Sequence, residues 1–383
     1  MLATNKARDL LRFLGGRRAE MIATIRRLVE TESPSFNKAA VDRLGQLLGA
    51  EFWRRGAGVR FHRSRRFGDH LQADFPGEKG PPLLLLGHMD TVWDVGTLKA
   101  MPFRQSRGRL WGPGVLDMKT GIAQMLFAVE ALRRLRGRLP RPVTALLVTD
   151  EEAGSESSRA TTEKLARKSA AVLVCEPAFG LAGALKTARK GVADYTVTVF
   201  GRAAHSGLDF EKGESAVLEL ARQLLVMERF TDLKRGITVC PGVIRGGTET
   251  ANVVPAEAMA RVDVRIPRRA DATRIDRKFR ALRPFNRKCR LEVSGGLNRP
   301  PLERTAAAAL FAKAQALARE LGFELAEAAV GGGSDGNFTA ALGIPTLDGL
   351  GAVGEGAHAA NESVLIAQLA PRTAFLARLI ESI

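Results

Sequence analysis

The stretch Leu83-Leu84-Leu85-Leu86-Gly87-His88-Met89-Asp90 decides the fold class of this chain. Four consecutive leucines require burial on every side, which is typical of a strand inside a parallel sheet that is covered by helices on both faces. Because ligands in open α/β sheets bind outside the carboxyl ends of strands, His88 is a candidate metal ligand, with Asp90 behind it. The alternative is a histidine that only closes a buried strand.

Acidic side chains follow two further predicted strands at the point where each strand ends. Residues 142–149 are followed by Asp150-Glu151-Glu152, and residues 171–175 are followed by Glu176. Another acid, Asp117, precedes a predicted helix over 121–135, and a helix N-terminus favours anionic groups. Adjacent acids beside a buried strand are costly unless a cation neutralises them. The alternative is a solvated loop with incidental acids.

The middle of the chain has a different pattern from the rest. Strands are predicted over 195–200, 237–245, 257–266 and 289–293, and helices over 215–230 and 271–282. This β-α-β-β-α-β order predicts one four-stranded sheet with two helices on one face. We interpret it as a second domain that is inserted into the first, in line with a length of 383 residues.

The net charge of +17 is unusual and comes mainly from arginine. Nucleic-acid binding is one interpretation, but the chain has one tyrosine and three tryptophans and no basic tract with interleaved aromatics. A solvated basic surface, or a surface that steers acidic substrates, is the preferred alternative. We therefore expect no nucleic-acid partner.

The sequence also carries signals of compartment. Residues 1–18 lack the apolar core of a signal peptide, and no stretch is apolar enough to span a bilayer, so we expect a cytoplasmic protein without a membrane partner. The three cysteines form no Cys-x-x-Cys pair, which predicts buried free thiols in a reducing compartment.

Five residues that can bind a metal fall at the ends of predicted elements: His88, Asp117, Glu152, Glu176 and His358. Imidazole and carboxylate ligands suit zinc first, with cobalt or manganese as alternatives. Five ligands exceed what one tetrahedral zinc with an open position needs, but they fit two ions if one carboxylate bridges them. Glu151 directly precedes a candidate ligand and is therefore a candidate general base.

Eight motifs occur in the order of one known family and cover almost the whole chain. They are Gly87-His88-Met89-Asp90, Gly114-Val115-Leu116-Asp117-Met118-Lys119, Asp150-Glu151-Glu152, Cys175-Glu176-Pro177, Ala204-His205-Ser206-Gly207, Asn252-Val253-Val254-Pro255, Gly331-Gly332-Gly333-Ser334-Asp335 and Gly356-Ala357-His358. Together they resemble the M20 metallopeptidase family, nearest to its glutamate-carboxypeptidase-like members. The resemblance implies an α/β fold: a mixed-sheet, zinc-peptidase-type catalytic domain of residues 1–186 and 298–383, with an inserted ferredoxin-like lid and dimerisation domain of residues 187–297.

The resemblance also implies roles for the residues of the catalytic domain. Asp117 would bridge two zinc ions, with His88 and Glu176 completing one site and Glu152 and His358 completing the other. In addition, Asp90 would orient His88. The general base would be Glu151, which would later pass its proton to the leaving amine.

Residues of the inserted domain acquire roles in the same way. His205 resembles a histidine that reaches the active site of the partner subunit and stabilises the oxyanion. Asn252 and Arg265 resemble residues that hold the substrate, with Arg265 gripping its carboxylate. The loop around Gly333 would offer backbone donors. The alternatives are a surface histidine, an arginine in a surface ion pair and a purely structural turn.

The implied function is a dizinc hydrolase that cleaves an amide or peptide bond next to a free carboxylate. Its substrate would be an N-acyl amino acid or a peptide, and it would form a homodimer through the inserted domain. Glutamate after Cys175 favours the carboxypeptidase, deacetylase or desuccinylase branches, while Thr91-Val92-Trp93 departs from the usual valine-valine-proline of the family. Two alternatives are a catalytically silent binding or regulatory protein of the same family and a nucleic-acid-binding protein.

Overall fold

The computed structural model describes residues 5–383, which form two compact units. The first unit contains the described residues up to Ala188, together with Glu303–Ala329 and Ser334–Ile383. The second unit contains Arg189–Leu302 and Val330–Gly333. Each unit has its own hydrophobic core.

The α-helices of the described chain include the helices predicted over 121–135, 215–230 and 271–282, whereas α5 and α9 were not predicted. They are α1 (Asn5–Gly16), α2 (Arg18–Glu30), α3 (Lys38–Arg54), α4 (Thr120–Arg136), α5 (Arg159–Ala166), α6 (Ala216–Glu228), α7 (Arg269–Arg280), α8 (Arg304–Glu320), α9 (Gly336–Ala341) and α10 (Leu369–Ser382).

The strands include short pairs as well as the long strands that the sequence predicts. They are β1 (Gly58–His62), β2 (His70–Phe75), β3 (Leu83–His88), β4 (Arg104–Ser106), β5 (Arg109–Trp111), β6 (Val143–Val148), β7 (Ala171–Val174), β8 (Leu185–Arg189), β9 (Gly191–Phe200), β10 (Ala204–His205), β11 (Thr238–Gly246), β12 (Val253–Val254), β13 (Glu257–Ile266), β14 (Arg290–Arg299), β15 (Glu327–Val330), β16 (Thr346–Leu347), β17 (Gly354–Glu355) and β18 (Ser363–Leu365).

The main sheet of the first unit has the strand order β1-β2-β6-β3-β7-β16. Strand β3 lies between β6 and β7 and is parallel to both, and β16 is parallel to β7. Strands β1 and β2 are antiparallel to each other, and β2 is antiparallel to β6. The sheet is therefore mixed, as predicted, and its parallel part delivers the carboxyl ends of β3, β6 and β7 to one edge.

The leucine run of β3 is buried on both faces of this sheet. Leu83 and Leu85 join the large core that includes α4 and α10, whereas Leu84 and Leu86 join a smaller cluster with β6 and β7. None of the four leucines has measurable exposure. Burial of a leucine side chain contributes about 1.5–3 kcal/mol, so this strand is a rigid mount for the residues that follow it.

The first unit contains a second, smaller sheet that the sequence did not predict. Its strand order is β17-β18-β5-β4. It was missed because β4 and β5 have three residues each, and because β5 pairs with β18 from a distant part of the chain. Such short strands leave no periodic pattern.

The second unit is built on an antiparallel sheet with the strand order β11-β13-β9-β14. Its long elements follow the chain order β9, α6, β11, β13, α7, β14. Both helices bury their apolar faces in the same core, where the rings of Tyr195 and Phe279 stack with centroids 3.9 Å apart. Strand β14 continues to Arg299, beyond the predicted end of the last strand at residue 293, because it pairs along almost the whole of β9.

Two further sequence expectations concern the thiols and the membrane. Cys175 and Cys289 are buried free thiols, but Cys240 is exposed, contrary to expectation, because β11 is an edge strand. Within residues 5–383, no helix has the length and apolar character that a bilayer crossing requires.

Candidate metal centre

His88 occupies the last position of β3 and is almost completely buried. Its Nδ1 lies 2.9 Å from the backbone carbonyl oxygen of Asp90. With Nδ1 engaged by an acceptor, the neutral ring carries its proton there and presents Nε2 as a free lone pair. That nitrogen faces two carboxylates, since it lies 3.0 Å from Oδ1 of Asp117 and 3.4 Å from Oε1 of Glu176.

Asp117 stands between two imidazoles and presents a different oxygen to each. Its Oδ1 lies 3.0 Å from Nε2 of His88, and its Oδ2 lies 3.5 Å from Nε2 of His358. His358 is also 3.0 Å from Oε1 of Glu152. One carboxylate oriented in this way can bind one cation through each oxygen.

The ligand atoms of the centre form two overlapping groups. Atoms of His88, Asp117 and Glu152 lie within 4.8 Å of one another, and so do atoms of His88, Glu151 and Glu176. The first unit therefore brings together all five predicted metal ligands and the predicted base. Glu151 lies among the candidate ligands themselves, a place suited to proton transfer as well as to metal binding.

Asp90 is fully buried and braces the loop that carries these acids. Its Oδ2 accepts hydrogen bonds from Oγ of Ser35, at 2.7 Å, and from the backbone N–H of Glu152, at 3.2 Å. Its Oδ1 accepts from the backbone N–H of Glu151 at 3.3 Å and lies 3.5 Å from Nδ1 of His88. The residue therefore contacts His88 more closely through its carbonyl than through its carboxylate.

His358 lies in a hairpin loop between β17 and β18. Its φ of 62° is in the left-handed region, which costs a non-glycine residue about 1–3 kcal/mol. The hairpin holds this conformation through backbone pairing of Gly354 with Val364 and Glu355 with Ser363. Backbone strain of this kind is common at functional sites, and here the strained residue faces the carboxylates of Glu152 and Asp117.

When no cation is present, the neighbouring carboxylates favour the doubly protonated, positively charged form of each histidine. Burial alone would lower the pKa of His88, but hydrogen bonding to Asp117, Asp90 and Glu176 outweighs burial and raises it well above its usual range. Hydrogen bonds to Asp117 and Glu152 raise the pKa of His358 to about 10.

The carboxylates respond to the same contacts in opposite ways. Burial acts to raise the pKa of Asp117, yet the hydrogen bonds from His358 and His88 lower it far below its usual range. Burial raises the pKa of Glu152, in spite of its hydrogen bond to His358. Opposite pKa shifts in one cluster of close carboxylates and imidazoles indicate a candidate functional site.

Sequence reasoning missed Glu362, which shapes the loop that carries Asp117. Its carboxylate is fully buried and accepts four hydrogen bonds. Three come from backbone N–H groups, those of Gly114 at 2.8 Å, Leu116 at 2.8 Å and Asp117 at 3.0 Å. The fourth comes from Nε1 of Trp93 at 2.9 Å. The only sequence signal was its position four residues after His358.

His205 and Asn252 lie beside each other in the second unit. Strand β10 pairs with β12, so His205 is opposite Val253, and the N–H of Ser206 donates to the carbonyl of Asn252 at 2.9 Å. The exposed His205 accepts at Nδ1 from the N–H groups of Gly207, at 3.1 Å, and Leu208. The neutral ring therefore carries its proton on Nε2 and offers it outward as a donor.

Arg265 and Gly333 also belong to the second unit. Nε of Arg265 donates to Oδ1 of Asp263 at 2.8 Å, which is the ion pair that the sequence left open as an alternative. The buried Arg189 donates to the carbonyls of Gly332 and Gly333, at 3.2 Å each. These contacts order the loop.

Comparison with known proteins identifies the family. A sequence model of Peptidase family M20/M25/M40 matches residues 84–382. The chain belongs to this peptidase family. It is 30% identical over 363 residues to carboxypeptidase G2 of Pseudomonas sp. strain RS-16, covering 93% of this chain and 87% of that protein. It is a hydrolytic enzyme, and the family implies the use of divalent metal ions.

One further relative and one solved structure are also similar to the chain. Succinyl-diaminopimelate desuccinylase of Ectopseudomonas mendocina is 26% identical over 311 residues, with 76% of this chain and 80% of that protein covered. The crystal structure of aminopeptidase PepT from Bacillus cereus superposes with a TM-score of 0.78 at 21% identity, over 95% of this chain and 98% of that one. The likeness to PepT confirms the mixed α/β fold of the family.

The geometry around Glu362 predicts that this residue controls metal affinity. A Glu362→Gln variant keeps the size of the side chain but replaces one acceptor oxygen with a donor NH₂, which would face N–H groups and release the Asp117 loop. We expect the zinc affinity to fall about 10–100-fold, as for other residues that orient metal ligands. Isothermal titration calorimetry measures this change.

Glu355→Gln is the matched control, because Glu355 lies in the same hairpin but is half exposed, and its carboxylate pairs with Arg109 at 2.9 Å. Its zinc affinity should equal that of the wild type. An unchanged affinity in Glu362→Gln, with the fold intact by circular dichroism, would refute the role of Glu362.

Proposed function

We propose that the first unit holds two divalent metal ions, zinc by preference, and hydrolyses an amide or peptide bond next to a free carboxylate. The observation that carries the proposal is Asp117, whose two oxygens face two different imidazoles. The donor set fits the group, because two imidazoles and three carboxylates, one of which presents an oxygen to each imidazole, suit a pair of borderline divalent ions. In this assignment, His88 and Glu176 serve one ion, and Glu152 and His358 serve the other.

The bound ions would supply Lewis-acid polarisation of the scissile carbonyl and of the attacking water. The residues of the chain perform the remaining tasks. Glu151 accepts the proton of the water and then delivers it to the leaving amine, from a position next to His88 and Glu176. Asp90 holds the backbone of Glu151 and Glu152 in place. Since removal of a general base costs about 10²–10⁴-fold in rate, Glu151 is the most sensitive position to test.

The substrate class follows from the relatives and from the second unit. The related proteins are named as a carboxypeptidase and as a desuccinylase, so peptides and N-acyl amino acids are the proposed substrates. Arg265 would bind the free carboxylate of the substrate in exchange for Asp263, because a carboxylate in the same place satisfies the guanidinium equally well. The loop at Gly333 would add polar contacts, and Asn252, which lies beside His205, would add its contact together with His205.

A homodimer through the second unit is part of the proposal. Helix α6 exposes Leu218 and Leu225, each 61% accessible, and the edge strand β11 exposes Ile244, which is 58% accessible. A free strand edge beside an exposed apolar helix face favours pairing with a second copy, since the same patch on both subunits is self-complementary.

The length of β13 supports a site that is shared between subunits. His205 lies next to Val253, just before the start of β13, whereas Arg265 lies at its far end. Eight residues of strand separate Glu257 from Arg265, or about 27 Å at about 3.4 Å per residue. His205 and Arg265 of one chain therefore cannot hold the same small substrate, so we assign His205 to the active site of the partner, where its Nε2–H would stabilise the oxyanion.

The role of Glu151 predicts that a Glu151→Gln variant loses turnover but keeps its metal. The amide cannot accept a proton, so kcat should fall by about 100-fold or more. Hydrolysis of N-acyl amino acids measures kcat, and elemental analysis measures the bound zinc. The control is Glu163→Gln on α5, which alters an acid paired with Arg159 and Arg167. A Glu151→Gln enzyme with normal turnover would rule out the assignment of the base.

The shared site predicts complementation between two inactive variants. Mixing Glu151→Gln with His205→Ala under subunit exchange creates heterodimers in which one site has an intact Glu151 and an intact His205. Random pairing then restores about a quarter of wild-type activity, as two-fold symmetry requires. A Leu218→Glu/Leu225→Glu change added to both variants should abolish this rescue and produce a monomer by light scattering. If the two variants exchange subunits but the mixture regains no activity, the shared site is contradicted.

A further inference from the structure

A cavity of about 520 Å³ adjoins the metal centre in the first unit, and Glu152 is part of its wall. A volume of about 300–1,000 Å³ is typical of sites for small ligands. The segments 34–37 and 91–95 supply the other walls. Because one proposed ligand lines this cavity, a substrate whose scissile bond lies at the centre can place one of its substituents there.

Three of the residues that line the cavity are large and apolar, and all three are exposed. Phe36 is 70% exposed, Val95 is 53% exposed and Val92 is 44% exposed. Large apolar side chains that remain exposed within one concave surface mark a ligand site, whereas isolated ones carry no such meaning. Val92 also belongs to Thr91-Val92-Trp93, the stretch whose sequence departs from the usual valine-valine-proline of the family.

Direct hydrogen bonds tie these walls to the centre. Oγ of Ser35 donates to Oδ2 of Asp90, the same oxygen that accepts the N–H of Glu152. The N–H of Thr91 donates to the carbonyl of Ser33 at 2.8 Å, and Oγ of Ser33 donates to the carbonyl of Met89 at 2.7 Å. The cavity is thus held at a fixed position relative to the acids that would bind the ions.

The charged lining of the cavity is acidic. Asp94 and Glu152 line it, and among the described residues no lysine or arginine does so. The nearby guanidinium of Arg66 lies 5.9 Å from the ring centroid of Phe36 but is paired with Glu156 at 2.9 Å. A substituent that ends in a carboxylate, such as a succinyl group, would meet the carboxylate of Asp94 here, and no lysine or arginine of the described lining would bind it.

We propose that this cavity binds an uncharged, apolar acyl group of an N-acyl amino acid, and that Phe36, Val92 and Val95 determine this specificity. The inference rests on the proposed function and narrows it: the enzyme is a deacylase for hexanoyl- or benzoyl-like groups. Burial of such a group against Phe36, Val92 and Val95 makes its binding free energy more favourable, while the carboxylate of Asp94 repels an anionic group.

A panel of N-acyl derivatives of one amino acid tests the proposal with the zinc-loaded full-length enzyme. The acyl groups are acetyl, succinyl, hexanoyl and benzoyl. We expect kcat/KM for the hexanoyl and benzoyl substrates to exceed that for the acetyl and succinyl substrates by about tenfold or more, since several apolar carbons become buried. Equal values, or a preference for the succinyl substrate, would overturn the proposal.

A Val95→Arg variant tests the location of the specificity. The new cation should lower kcat/KM for the hexanoyl substrate and raise it for the succinyl substrate, which reverses the preference. Trp53→Arg, at an exposed position of α3 outside the cavity, is the control and should keep the wild-type ratio. A hexanoyl-to-succinyl ratio that is the same in Val95→Arg and wild type would place the specificity elsewhere and overturn the assignment of the cavity.

The failure of this inference is distinguishable from that of the proposed function. If the wild type hydrolyses the panel without preference, the cavity assignment fails and the hydrolase stands. If zinc-loaded wild type hydrolyses none of the four substrates, the proposed deacylase function fails and this inference fails with it.

Discussion

The candidate metal centre depends on one constraint, the placement of the Asp117 carboxylate between His88 and His358. Each oxygen of Asp117 faces a different imidazole, at 3.0 and 3.5 Å. Three carboxylates, of Asp117, Glu152 and Glu176, share this small volume, and such a concentration of negative charge requires compensation by protons or by cations. The raised pKa values of both histidines show how protons meet that requirement when no cation is bound.

The fold brings the ends of the strands together, and buried residues hold the loops that follow them in place. In register, His88 of β3 lies opposite Val148 of β6, so the acids that follow β6 emerge beside it. Two buried carboxylates that are not themselves proposed ligands then complete the support. Asp90 receives the N–H groups of the loop after β6, and Glu362 receives those of the loop that carries Asp117. Rigid packing and satisfied hydrogen bonds thus hold groups that would otherwise repel one another.

The sequence predicted those parts of the site that local patterns encode. The four leucines of β3 and the acids after β6 and β7 identified the edge of the sheet, because buried runs and the residues that end them are contiguous. The partnership of Asp117 with His358 came only from family resemblance, and Glu362 was missed, since its hydrogen bonds to residues 114–117 join segments almost 250 positions apart. The pairing of β5 with β18 was missed for the same reason, and the roles of His205, Asn252 and Arg265 remain predictions.

The central claim is that the centre around Asp117 binds two metal ions per chain. Its most direct test is calorimetric titration of the metal-depleted protein with zinc in two buffers of different ionisation enthalpy. At pH 7 both histidines carry protons, because the pKa of His358 is about 10 and that of His88 is well above its usual range. Two zinc ions should bind per chain. Binding should release protons and should weaken as the pH falls, because protons and cations compete for the same nitrogens. Fewer than two ions per chain, or binding without proton release, would contradict this claim.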